Sequence, residues 1–330
     1  MTAPTGHDAG PVRVADLDAR PATIDDAAAV ADVLTAIDPD DPTDPEIQRY
    51  QWETAPPWPR QRFALERVGR LVGFAFEAHA PWEEMPDRFG FVGAWLLPAE
   101  LTPARLDAAY DLVEERSRAD GTRTFSLWLK DKEKAHIAVI EARGYREERR
   151  GKGWELDLRA ERGRLEQMAA ESRARMKREG IRILTLADDR DPDVEHKLWR
   201  MSVESFRDIP TTVPFVEPPF EQWRKWLSKP GIRRDRTWIA REGDHVVGVS
   251  VLNYPPVRGN VWTDYTGTAR QVRGRGVARA LKLETVMQAI ALGISRVRTG
   301  NDAANAPILH LNEEMGYKQF GSGIQFLKPA

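Results

Sequence analysis

Residues 263–283 read TDYTGTARQVRGRGVARALKL. A strand-like segment ends near Thr268, two glycines stand one residue apart at 274 and 276, and a helical pattern begins at Val277. Glycine lets the backbone come close to an anion because no Cβ intervenes. The free N–H groups at the start of the next helix point at such an anion, and the helix dipole favours it. Arg270, Arg273 and Arg275 add positive charge, and a guanidinium offers phosphate a planar fork of donors. The segment is expected to hold a phosphorylated ligand.

Spacing narrows the choice. No GxxxxGK[ST] loop is present, and the third glycine of a dinucleotide fingerprint would fall at Arg279. What remains is Gln271, Gly274 and Gly276 between a strand and a helix. Further on, a strand at 296–299 is followed by Asn301 and Asn305, then by a helix ending in Met315-Gly316-Tyr317. Over 263–317 this order resembles motif A, and the elements after it, of the GNAT superfamily of N-acetyltransferases.

The resemblance implies acetyl-CoA as cofactor, with its diphosphate held by backbone N–H groups of Val272, Arg273, Gly274, Arg275, Gly276 and Val277. It implies that the pantetheine arm lies along Tyr265–Thr268 as an added strand, touching Thr266, Gly267 and Thr268. Asn301 and Asn305 would stand near the arm and its thioester. The implied reaction is direct attack of a substrate amine on the thioester, which calls for a base, a carbonyl-polarising donor and a proton for the thiolate. Many family members carry a tyrosine four residues before the Gly-Phe/Tyr pair as general acid; here that position is Asn312, which has no proton to give. Asp264 is the candidate catalytic base, against a plainer reading as a solvated strand-end carboxylate. Glu204 and Asp208 are candidates for gripping a cationic acceptor.

Working outward, the chain contains one order of elements twice: strand, two helices, three strands, helix, strand, helix, strand pair. The expected fold is α/β, an α+β mixed sheet in each of two tandem GNAT-like domains joined by a charged helix, similar in architecture to tandem members such as mycothiol synthase. The expected divisions are a loose tail at 1–10, a degenerate domain at 11–159, a connecting helix at 160–180 and an acetyl-CoA-binding domain at 181–330. In the first half, Thr102-Pro103 is a strong helix start. The junction there reads LPAELTPAR over 97–105, with Pro103 lacking an N–H and Glu100 adding negative charge, so no diphosphate is expected to bind. In the connecting helix, Leu165, Met168, Ala169, Ser172 and Met176 form a weak apolar stripe. Residues 208–220 form a proline-stiffened, aromatic loop that either covers a site or simply connects. Trp223 and Trp226 are expected to bury.

Composition limits the remaining function classes. The 330 residues are 30% charged yet carry a formal net charge of only −2, which argues against nucleic acid as partner. No apolar run approaches membrane-helix length, and the N-terminal residues do not read as a secretory signal, so a cytoplasmic protein is expected. There is no cysteine, and the six histidines are scattered, so no metal site is expected. The expected activity is acetyl-CoA-dependent N-acetylation of a small-molecule amine. Two alternatives stand beside it: a catalytically silent acyl-CoA sensor, and an acetyltransferase for protein amines.

Overall fold

The computed structural model describes residues 12–330, so the expected tail lies outside the described residues. The chain divides into two compact units: one runs to Glu148 and includes Gln325–Ala330, the other spans Arg149–Ile324. The first unit begins with β1 (Val12–Val14), β2 (Leu17–Pro21), α1 (Ala27–Ile37) and α2 (Pro45–Glu53). It continues with β3 (Arg60–Arg67), β4 (Arg70–His79), β5 (Phe89–Leu96), α3 (Pro103–Ala119), β6 (Thr124–Lys130) and α4 (Lys134–Ala142). Its strands lie in the order β1-β2-β3-β4-β5-β6. Neighbours are antiparallel from β1 to β5, and β5 pairs β6 in parallel at Phe89–Phe91.

β7 (Arg146–Asp157) is a single long strand in place of the strand pair expected to close the first half. Its first half, Arg-Glu-Glu-Arg-Arg, has the composition of a solvated turn and low strand propensity. Residues 149–157 belong to the second unit, and so does α5 (Arg162–Arg178). There follow β8 (Ile181–Thr185), α6 (Val194–Phe206), α7 (Phe220–Arg224), β9 (Thr237–Glu242), β10 (His245–Asn253) and β11 (Trp262–Thr268). α8 (Val277–Ala291), β12 (Arg296–Asp302), α9 (Ala306–Met315) and β13 (Lys318–Pro329) complete the chain. Here the order is β7-β12-β11-β10-β9-β8, antiparallel throughout except between β11 and β12.

Two packing facts position the site. All five residues of the apolar stripe on α5 are buried, and α5 lies along α8 with Arg173 gripping Glu284 through two bonds of 2.6 and 2.8 Å. α8 is therefore covered by α5 as well as by the sheet, and Ala280 through Val286 are all buried. A helix enclosed in this way takes apolar residues all round, and any charge it carries needs a partner. The second fact concerns β11. It pairs with β10 along its length, but its parallel pairing with β12 is confined to Trp262↔Arg298. Beyond that point the two strands diverge.

Candidate functional site

The divergence of β11 and β12 leaves one edge of β11 without a backbone partner. Ala269 N donates to Val247 O at 2.9 Å, and antiparallel alternation then turns the backbone groups of Thr266 and Thr268 away from β10, toward the opening. Gly267 lies beneath the Tyr265 ring on the face toward α6. The opening is flanked by β12, where Thr299 to Asp302 pair only with β7.

At the end of β11 the chain makes one 3₁₀ turn, Arg270–Val272, anchored by the fully buried Val272. Gly274 and Gly276 follow at φ +76° and +86°, and Gly276 is the N-cap of α8. Both angles lie in the left-handed region, open to glycine at little cost. Alternation of such residues with right-handed or extended ones turns successive N–H groups toward a common point, an anion-binding concavity. The amides of Val272, Arg273 and Arg275 bond inside the turn, to Ala269, Arg270 and Val272 carbonyls at 3.2–3.3 Å. Among the described residues, those of Gly274, Gly276, Val277, Ala278 and Arg279 have no partner. The free donors thus begin two residues later than the sequence reading placed them and extend into the first turn of α8.

The loop arginines also differ from expectation. Arg270 and Arg273 both bind Asp208, at 2.5 and 2.7 Å. These guanidiniums hold the Asp208 carboxyl well below the usual carboxylate range, so its negative charge stands beside the nest at every working pH. Arg275 is held by Glu242 and Glu179 at 2.8 and 3.0 Å. Among the described residues, Arg175 from α5 is a guanidinium at this loop with no carboxylate partner. It donates to the Gly274 carbonyl at 3.3 Å and lies 3.1 Å from where a Cβ on Gly276 would stand. Sequence reasoning missed it, because nothing in a charged helix tells which arginine reaches a loop 99 residues away.

Asp264, the candidate base, is no solvated strand end. It sits at the bulge between β10 and β11, accepts from Trp226 Nε1 at 2.5 Å and pairs with Lys229 Nζ. Both oxygens are occupied, and an acceptor amine would have to displace Lys229. Glu204 caps the 3₁₀ turn by accepting from Arg270 N at 2.8 Å, and Asp208 serves the arginines, so neither is free for an acceptor. The 207–219 loop is fastened to its surroundings: Arg207 pairs with Glu217, Trp199 Nε1 donates to Pro218 O, and Phe215 stacks on Phe206. Phe206 in turn stacks on Tyr265 with 4.5 Å between centroids. Trp223 is buried as expected, whereas Trp226 is half-buried because its indole N–H serves Asp264.

Asn305 is the N-cap residue of α9 and makes no side-chain cap. Asn301 Oδ1 accepts from Asn312 Nδ2 at 2.7 Å, and Asn312 Oδ1 accepts from the buried Lys282 Nζ at 2.9 Å. The structure therefore brings Thr266, Thr268, the glycine loop and Asn301 around one opening, with Asn312 behind it.

A model of the acetyltransferase (GNAT) family matches residues 196–317, which contain every one of these elements except Arg175 and Glu179. Residues 196–317 are thus similar in sequence to GNAT acetyltransferase domains. Among solved structures, the chain is similar to a tandem GNAT protein of the clavulanic acid biosynthesis pathway, at 14% identity and TM-score 0.72, covering 95% of this chain and 98% of that one. It is also similar to a GCN5-related N-acetyltransferase from Sphaerobacter thermophilus, at 19% identity and TM-score 0.65, covering 96% of each. These likenesses show a tandem GNAT fold. No curated protein matches the chain in sequence.

The first unit has the matching strand–helix junction without the nest. Thr102 caps α3 by accepting from Arg105 N at 3.3 Å, Pro103 occupies the first helical position, and Arg105 is held by Asp16 and Glu100. A cavity of about 800 Å³ beside this helix start has an alanine-rich wall (Ala104, Ala135, Ala138, Ala142), and its Arg143 and Lys328 are both paired with Glu114. Among the described residues no helix is long and apolar enough to cross a membrane, and no cluster of three His, Asp or Glu could hold a metal.

Proposed function

We propose that the second unit binds acetyl-CoA through the five free amides of Gly274, Gly276, Val277, Ala278 and Arg279, and transfers its acetyl group to the amine of a small molecule. The observation that carries this reading is the coincidence of those donors with an unpaired strand edge. A diphosphate fits the nest, and an amide-bearing arm can continue from it along Thr268 and Thr266 as an added strand. Arg175, which among the described residues has no carboxylate partner, adds a cation at the loop. In the reaction the amine nitrogen forms a bond to the acetyl carbon as the carbon–sulfur bond breaks. The ammonium proton leaves to water and the thiolate takes a proton from water. No side chain is assigned to either proton transfer, since Asp264 is held by Lys229 and Asn312 does not titrate.

That gap supports a second reading, a silent acyl-CoA sensor. Thiol release from acetyl-CoA in the presence of a panel of small amines separates the two. Release above the acetyl-CoA-only rate for at least one amine is expected; binding with no release for any of them favours the sensor.

The charges around the nest make a paired prediction. Arg175→Ala should weaken acetyl-CoA binding by about tenfold, the scale of one charge-assisted contact to phosphate. Asp208→Asn should tighten it by roughly two- to fivefold at low salt, with the gain vanishing near 1 M salt. Calorimetric titration of both variants reads the signs; effects of the same sign would mean that neither charge faces the ligand.

A further inference from the structure

Lys282 stands at the sixth position of α8 and is 1% exposed. Its Nζ lies 4.8 Å from the ring centroid of Tyr317, which belongs to a buried apolar cluster with Leu283, Val286, Leu311 and Met315. Among the described residues no carboxylate pairs with it, and its one hydrogen-bond partner is Asn312 Oδ1. Burial pulls the ammonium down to about 7, and the amine it becomes still carries N–H donors. A methionine would fill this apolar space without the desolvation that an amine suffers. What the lysine adds is a donor.

The donor has a directional consequence. As an ammonium, Lys282 has N–H donors and no lone pair, so the oxygen of the Asn312 amide must face it and the Asn312 Nδ2 is turned to Asn301 at 2.7 Å. Asn301 must then present its own oxygen to Asn312, and its Nδ2 is left facing away. Among the described residues that Nδ2 has no acceptor, and Asn301 sits on the stretch of β12 that has parted from β11. Three side chains thus form a one-way series of donors ending at the opening.

We propose that Lys282 is a positioning residue which, through Asn312, fixes the amide of Asn301 so that its N–H groups grip a carbonyl of the pantetheine–thioester arm. This rests on the acetyl-CoA reading above. Lys282 touches no reacting atom. It keeps Asn312 from flipping; a flipped Asn312 would turn its oxygen to Asn301, so that Asn301 would have to present Nδ2 to Asn312 and its own oxygen to the ligand carbonyl.

The test uses the full chain as wild type, Lys282→Met, Asn301→Ala and the double variant. Acetyl-CoA is titrated by calorimetry beside 3′-phospho-ADP, the nucleotide end of the cofactor without its arm. Each single variant should lose about tenfold in acetyl-CoA affinity, one well-placed hydrogen bond. The double variant should lose no more than the worse single one, because both substitutions remove the same contact. Affinity for 3′-phospho-ADP should not change in any of them. Losses that multiply in the double variant, unchanged acetyl-CoA affinity in Lys282→Met, or a parallel loss of 3′-phospho-ADP would each overturn the proposal, the last by showing a general disturbance of the fold. A wild type that binds neither probe would instead overturn the acetyl-CoA reading, and this proposal with it.

Discussion

Replacing Gly274 with valine should weaken acetyl-CoA binding by about a hundredfold or more while leaving the fold in place. The residue sits at φ +76°, a region closed to a β-branched side chain without strain. Relief of that strain moves the peptide units on either side and takes the Gly274 amide out of the nest. A charge-assisted amide–phosphate bond contributes about 1.5–3 kcal/mol, so losing one or two accounts for a factor on this scale. The fold should survive because a Cβ at 274 meets no atom within 4 Å. That same open space is where the ligand oxygens are expected, so the side chain obstructs what the backbone no longer attracts. Calorimetric affinity beside a melting curve checks this: retained affinity, or a melting point that collapses, would count against it. Thr102→Val in the first unit is the control and should leave affinity untouched, since no nest exists there.

A second large effect is expected in the first unit, from Glu77 on β4. Its side chain is wholly buried and makes no ion pair among the described residues, and burial, reinforced by Asp120, pushes the carboxyl up to about 7 from the usual 4.5. The sign follows from linkage. Between those two values the folded chain holds a proton that the unfolded chain has released, so stability falls as pH rises through the window and levels off above it. Holding that proton up to about pH 7 corresponds to roughly 3 kcal/mol. Glu77→Gln cannot ionise, so the variant should gain on the wild type steadily from pH 4.5 to pH 7.5, by several degrees in melting temperature. A gap between the two proteins that stays constant across that range would show that Glu77 is not buried as a titrating acid.

Much of the second unit was legible because its decisive signals are local. A strand, two glycines and a helix within 263–283 declare themselves through backbone requirements that do not depend on distant residues, and α8 begins at Val277 as the pattern indicates. Thr102-Pro103 was readable for the same reason. What stayed hidden depends on pairing across long stretches of chain. Arg270, Arg273 and Arg275 look like phosphate ligands until Asp208, Glu179 and Glu242 arrive beside them in the fold. Asp264 looks like a free carboxylate until a bulge and a 3₁₀ turn deliver Trp226 and Lys229 to it. Lys282 carries no sign of burial in sequence, since a lysine on a helix normally faces water; only the cover that α5 lays over α8 reveals it. The long strand β7 was obscured by its own charges.

The central claim is that backbone amides at the start of α8 receive a diphosphate. The crystal structure of the protein with coenzyme A tests it most directly. Diphosphate oxygens are expected at hydrogen-bond distance, about 2.7–3.2 Å, from the nitrogens of Gly274, Gly276 and Val277, with the arm alongside Thr266 and Thr268. Coenzyme bound elsewhere, with those nitrogens facing only solvent, would contradict it.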